Sequence, residues 1–485
     1  MRLDKNVARN WWMSLVLLMA PLAWADNKPK SSPPPKAAAA SKAAPAARAS
    51  GQAKHPTTTS PGRKYGSPTT SHPGPTGGRA GGAHPGRTGP STSRTFSNGT
   101  TARFSAGGRI QSIHTANGLN IRRGVGGQRT VVSRSNGRML VSTGPNSGYS
   151  QRAYMNRNGR VYVQRTYVIG GRTNVYVYNR YSYRGAFYYG YVPGYYYRPA
   201  FYGWVYNPWL NPVYYRWDWM ASAWYAPYGY YFAPAPYYPV ASLWLTDYLL
   251  AESLRAAYDA GAGSGAQQPG PPPDQSAAQN TVLTPEIKQA IADEVKRQID
   301  AERAAAVNSQ QQPAAPTAAP APAQPAAPQT QVVAEQRPEA LDPAVSVFVV
   351  SASLDVNAGD QACSLSPGDV IMRISDTPDA KQNVNVKVAS SKRSDCPTGQ
   401  SVAISVADLQ EMHNQFRAKI DSGLKTLADN QGKNGLPPAP DTQTSAGEVP
   451  QPQPDAVRAD LQKLQAVADQ TEADVKRQAA STGTT

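Results

Sequence analysis

Between Asn27 and Trp217 the chain has no aspartate and no glutamate, yet it carries 27 lysines and arginines there. Any carboxylate pair for acid–base chemistry must therefore lie beyond Asp218, where Asp369, Asp376 and Asp379 are the nearest to a cluster. Cysteine is almost missing as well: Cys363 and Cys396 are the only two. That excludes a disulfide framework and a metal-spaced Cys/His set. A single bond between them in an oxidising compartment is the expectation, with free buried thiols as the alternative. Histidine is scarce: His55, His72 and His84 each precede a proline at spacings of 17 and 12, a poor metal site. His114 falls in a strand-like run and is expected at the surface, as is His413 on a helix. Neither stands near a Ser or Cys in a nucleophile arrangement, and no P-loop or G-x-G-x-x-G string occurs. We therefore expect no enzyme, no cofactor and no metal.

Long apolar runs are also absent except at the start. Lys5 and Arg9 precede Trp11 to Leu22, and Ala23-Trp24-Ala25 follows as a small-residue cleavage pattern. The run is shorter than the about 20 residues a membrane span needs, and Pro21 interrupts it. Residues 1–25 thus read as a secretory signal peptide, and the protein as secreted or of the cell envelope. Residues 26–95, made of Pro, Ala, Ser, Thr and Gly with scattered lysine, cannot bury enough apolar area to offset ordering. They are expected to be a disordered basic spacer.

What is present begins at Phe96. Asn98-Gly99, Asn117-Gly118, Asn136-Gly137 and Asn158-Gly159 stand 19, 19 and 22 residues apart. Between them fall Gly107-Gly108, Gly126-Gly127, Pro145 to Gly148, and Gly170-Gly171. Asn-Gly between alternating runs signals a hairpin, because a type I′ turn needs positive φ at both central residues. The runs Arg160 to Ile169 and Asn174 to Tyr181 alternate β-branched and aromatic residues with polar ones, as a strand with two faces does. The spacing predicts an antiparallel β-meander over 96–185, built on a degenerate repeat of about 20 residues. All its basic residues are arginines. Such a one-signed surface attracts polyanions, and arginine stacks on rings and forks onto phosphate or carboxylate. The alternative is that exposed arginines only keep the strands from aggregating.

Residues 186–260 are crowded with Tyr and Trp, and frequent prolines disfavour a central strand or a helix there. Three roles compete for these rings. They form the core against the meander; or they stack on sugars, with adjacent arginines for acidic groups; or they self-associate, as in the compositionally similar extracellular proteins of the cuticle and eggshell type. The candidate ligand surface comprises Arg160, Tyr162, Arg165, Tyr167, Arg172, Tyr176, Tyr178, Arg180, Arg184, Trp204, Trp209 and Trp217. Ser242 to Ala260 reads as a helix packing on the aromatic layer, with interfacial anchoring by Trp244 and Tyr248 as a lesser reading.

From Asp218 onward the charge reverses, with 19 lysines and arginines against 30 carboxylates. A linker (261–282) precedes a helix (283–305) opened by Thr284 and Pro285. Its stripe is Ile287, Ile291, Val295 and Ile299, which leaves Lys288, Glu294, Lys296 and Arg297 for solvent. After a Pro/Ala linker (306–340) comes a small β domain (341–428), ending in a helix with Asp408 as cap and Glu411 as its capping-box partner. Leu365-x-Pro367-Gly368-Asp369-Val370-Ile371 resembles the segment that opens the fourth strand of PDZ domains. The resemblance covers about ten residues, without the carboxylate-binding loop, and implies peptide binding; a small five-strand barrel fits equally. A further linker (429–455) leads to a last helix (456–480). There Val457, Leu461, Leu464, Ala468, Thr471 and Val475 suit a short coiled-coil seam.

The fold expected is mainly β with a large disordered fraction, a meander, a small barrel-like domain and isolated helices. The function expected is structural or binding: the basic Arg/Tyr surface takes polyanions or cell-wall polysaccharide, or self-associates, and nucleic acid would bind without sequence preference. The C-terminal helices and small domain would meet a protein partner. The alternative is a periplasmic adaptor whose small domain binds a peptide.

Overall fold

The computed structural model describes residues 92–481 except 106, 125–128, 136, 145–146, 156–160, 170–171, 264–281, 312–334, 359–360, 393–395 and 447–453. The expectations for the leader, the spacer up to residue 91, His55, His72, His84 and Arg160 fall outside those residues, while residues 92–95 of the expected spacer form a strand.

Ten strands form one antiparallel sheet in strict sequence order, β1 (Thr92–Thr95), β2 (Thr101–Phe104), β3 (Ile110–His114), β4 (Asn120–Arg123), β5 (Arg129–Ser135), β6 (Arg138–Gly144), β7 (Ser147–Met155), β8 (Val161–Ile169), β9 (Arg172–Tyr183) and β10 (Ala186–Val192). The meander therefore extends past 96–185 at both ends. Its last turn is Arg184-Gly185 with φ of 48° and 76°, the double positive φ of a type I′ hairpin. Register lines up Ala102, Ile113, Ile121, Val131, Ser142, Gly148 and Val168 across seven strands, all buried on one face.

The aromatic stretch is core, but around α2 with the later helices and the small sheet and not against the meander as expected. Tyr195–Tyr197 (β11) pairs with Thr444–Ala446 (β18). Pro199–Tyr206 then forms a helix, α1, against the expectation of irregular chain. Proline does not oppose it because Pro199 occupies the first turn, where the missing N–H has no partner to lose. Helix α2 (Ala241–Gly263) runs through the middle, with Trp244, Leu245, Leu249, Leu250 and Leu254 no more than 1% exposed. Trp244 stacks on Trp217 at 4.8 Å and on Tyr248 at 5.5 Å, so it anchors the core and not a membrane surface. Helix α3 (Pro285–Gln311) buries Ile291, Val295 and Ile299 in the same core, and Glu294, expected in solvent, is buried too.

The small sheet has the order β12 (Val347–Val349), β15 (Val370–Arg373), β16 (Asn383–Ser390), β17 (Ser401–Ser405), beside a separate hairpin of β13 (Leu354–Ala358) and β14 (Gln361–Leu365). It is an open four-stranded sheet, not a five-strand barrel. Cys363 and Cys396 are disulfide-bonded, tying the hairpin to the segment before β17. Helix α4 (Val406–Asn430) is capped by Ser405, whose Oγ accepts from the Asp408 N–H at 3.1 Å, so Asp408 is the third helical residue and Glu411 is left for another task. One set of its residues (Leu409, Met412) closes the small sheet, and another (Phe416, Ile420, Leu424, Leu427) enters the aromatic core. Asn414 also accepts from the Tyr191 N–H and donates to the Tyr189 carbonyl, covering the open edge of β10.

Helix α5 (Pro454–Ser481) does not form a coiled coil. It lies on the meander, with Val457 and Leu461 against Val168 and with Leu464, Ala468 and Val475 against Ala102, Ile113, Ile121 and Val131. Strands and helices take similar shares of the described residues, 34% and 36%, with the ten-stranded sheet as the organising layer.

Candidate functional site

The arginines of the carboxylate-free meander fall into three groups. The first brackets α5. Arg123 meets Glu472 at 2.5 Å, Arg138 meets Asp460 at 2.6 Å, and Arg129 pairs with Asp469. Two-residue alternation puts these arginines on the same face as the buried row, so the acidic helix sits where apolar contact and charge both favour it. Gln465 adds a hydrogen bond to Ser142 Oγ at 2.5 Å.

The second group is Arg165 alone, 4% exposed. Its Nη1 meets Glu411 Oε2 at 2.6 Å and donates to the Tyr167 hydroxyl at 3.2 Å, and its Nε donates to Gln151 Oε1 at 2.7 Å. Tyr167 donates to Glu411 Oε1 at 3.0 Å. The guanidinium lies 4.5 to 5.2 Å from the ring centres of Tyr178, Tyr189 and Tyr149. Burial works against its charge, but Glu411 opposite holds it protonated; burial also pushes the Tyr149 hydroxyl up to about 12. The cluster locks α4 onto the sheet.

The third group is exposed. Arg103 and Arg122 lie on the face opposite α5, in register through Ser112, and Arg134 lies on that same face of β5. With β3 between them, Arg103 and Arg122 stand about 10 Å apart along the sheet. His114, exposed as expected, shares the face and bonds Asn120 Oδ1 at 2.9 Å.

The structure thus disperses the predicted ligand surface. Arg165, Tyr167, Tyr178, Trp209 and Trp217 are buried and offer nothing to a ligand. Tyr162, Tyr176 and Trp204 are half-buried. Arg172 is exposed with Glu252 at 3.8 Å, Arg180 lies 3.8 Å from the centre of the Phe187 ring, and Arg184 donates to the Pro378 carbonyl at 3.2 Å. Sequence reasoning did not single out Arg103, Arg122 or Arg134, although their place in alternating runs was visible. No family model, curated protein or solved structure matches this chain.

The PDZ-like string has an internal role. Asp369 pairs with buried Lys392 at 3.1 Å and accepts from the Ser366 N–H, and Gly368 packs so close to Leu254 that a Cβ would stand 2.8 Å from its Cδ2. His413, expected at a helix surface, is 3% exposed, with its Nε2 2.9 Å from Gln298 Nε2; burial pulls its pKa well below the usual range.

One buried acidic pair was not foreseen. Asp421 of α4 and Glu302 of α3 lie together beside Arg417. Asp421 Oδ2 accepts from the Tyr191 hydroxyl at 2.5 Å, and Glu302 Oε2 from that of Tyr202 at 3.5 Å. Burial pushes Asp421 up to about 6 and Glu302 well above the carboxylate range. The folded state therefore binds these protons more tightly than the unfolded chain. Asp421's share of this stabilisation is complete below about pH 4 and disappears as pH rises through about 6, while Glu302 keeps its share to higher pH. Relative to Asp421→Asn, the wild type should lose on the order of 2 kcal/mol between pH 4.5 and 7.5 in urea unfolding; parallel pH profiles for the two would contradict this.

Proposed function

We propose that this is a non-enzymatic secreted or cell-envelope protein that binds polyanions through the outer face of β2 to β5. One observation carries the reading: Arg103, Arg122 and Arg134 stand exposed on one sheet face, opposite the face that α5 covers. The strands supply no carboxylate from Asn27 to Trp217, so the opposing charge that reaches this face comes from elsewhere in the fold, as Asp408 of α4 does at Arg122. Arginines on paired strands are held by the ladder, so little backbone entropy is lost when a phosphate, sulfate or carboxylate polymer arrives. The disulfide suits an oxidising location, and no described helix is long and apolar enough to cross a membrane.

Replacing Arg103, Arg122 and Arg134 together by glutamine should weaken binding to heparin or DNA about tenfold or more at low salt. The salt slope should fall by about 2 to 3. These side chains are exposed, so the melting temperature should change little. Unchanged retention of the triple variant on a heparin column, or no retention of the wild type at low ionic strength, overturns the reading.

A further inference from the structure

Beside the buried acidic pair, a cavity of about 230 Å³ opens between β9, β10, the Gly194-Tyr195 segment and helix α4. Its chemistry-bearing walls are Tyr176, Tyr191, Tyr195, Asp421, Ser422 and Lys425. At about 30 Å³ per water it has room for a small organic molecule of six or seven heavy atoms. Tyr176 and Tyr191 meet as a corner, with ring centres 5.8 Å apart and planes at 76°. Tyr195 closes a third side and donates through its hydroxyl to the Asp421 carbonyl at 3.3 Å.

The charges around this space favour a cation. Asp421 is one of its lining residues, with its carboxyl on the hydroxyl of the wall residue Tyr191 and Glu302 beside it. Arg417 is the nearest guanidinium, and it lies behind the ring of Tyr191, with its Nη1 on Glu339 at 3.0 Å. Lys425 reaches the rim, where its ammonium pairs with Asp429 at 2.6 Å. Two carboxyls thus share one guanidinium that a third carboxylate also engages. An anion entering would meet Asp421 directly. An apolar molecule would leave the carboxyl without a counter-charge. A small ammonium ion satisfies both features, because its charge faces the carboxylate while its methyl groups lie on ring faces.

We propose that this cavity binds a small organic ammonium ion, such as a methylated amine, held by Asp421 and the rings of Tyr176, Tyr191 and Tyr195. This site is separate from the arginine face and stands or falls independently of it. Binding should tighten as Asp421 ionises between pH 5 and 7. The groups facing Asp421 that set this dependence are Glu302 from α3, Arg417 and Lys425 from α4, Tyr176 from β9, Tyr191 from β10, Tyr195 from β11 and Tyr202 from α1.

The test uses the full-length secreted protein with choline and its neutral carbon isostere 3,3-dimethylbutan-1-ol, followed by calorimetry and by tyrosine ring resonances. Choline should bind saturably and at least about tenfold tighter than the isostere. Asp421→Asn, which keeps the shape and the Tyr191 hydrogen bond, should reduce choline affinity about tenfold or more. Ser422→Met, which fills the cavity without touching the acidic pair, should abolish binding of both compounds. Equal affinity for choline and the isostere overturns the proposal. So does undiminished choline binding by folded Asp421→Asn, or the absence of saturable choline binding by the folded wild type.

Discussion

Glu411→Ala is expected to destabilise the protein by about 3 kcal/mol or more, because it strands the Arg165 guanidinium in the core. Glu411 is the only carboxylate that meets Arg165 among the described residues, and it also accepts from the buried Tyr167 hydroxyl. With it gone, the guanidinium keeps Gln151, the Tyr167 oxygen and three ring faces, none of which carries a compensating charge. Glu411 itself is one-third exposed, so the converse change, Arg165→Met, should cost less: the carboxylate left behind reaches water. That inequality is the sharper prediction. Urea unfolding of the two variants checks it, and a cheaper Glu411→Ala than Arg165→Met contradicts the role assigned to this pair. The double variant Arg165→Met/Glu411→Leu should recover much of the loss, as replacement of buried ion pairs by packed apolar residues commonly does.

Gly148→Val should be the most damaging change on the opposite face. A Cβ at this position would stand 2.2 Å from the Val141 carbonyl oxygen and 2.9 Å from the Ser142 Cα, both backbone atoms of the neighbouring strand, and 3.0 Å from Leu461 of α5. Backbone cannot rotate aside, so β6 and β7 must separate or α5 must lift. We expect a loss of at least about 3 kcal/mol. Hydrogen exchange should show it first over Pro454–Ser481, before Val406–Asn430, whose anchoring to the sheet lies on other residues. Gly137→Ala is the control: φ there is also positive, at 72°, but nothing lies within 4 Å of the added Cβ. It should cost only the backbone strain of about 1 kcal/mol. Protection of α5 unchanged in Gly148→Val would show that this glycine is not what seats the helix.

Much of the architecture could be read from the residues. Period-2 alternation between Asn-Gly turns specified the meander, and its order, because a turn of two to five residues forces neighbours in sequence to be neighbours in space. Thr284-Pro285 and the Ile287 to Ile299 stripe marked a helix, and the cysteine pair marked a bond. Two of the places where the reading failed share one cause. Arg165, placed on a ligand surface, and His413, placed on a helix surface, are both buried, where an unpaired charge is costly. Their partners, Glu411 and Gln298, stand more than a hundred positions away, and no local pattern contains them.

What the sequence determined by itself is the set of local elements, since propensity, turn chemistry and alternation act within a few residues of chain. It determined as well the separation of positive from negative halves. Tertiary structure alone decided that the halves cover each other. The acidic last helix lies along an apolar row flanked by Arg123, Arg129 and Arg138, and the tyrosine-rich layer closes around α2. Pairing across such distances is fixed by which surfaces fit and neutralise one another, and that choice left Arg103, Arg122 and Arg134 as the outward-facing cations of that sheet face.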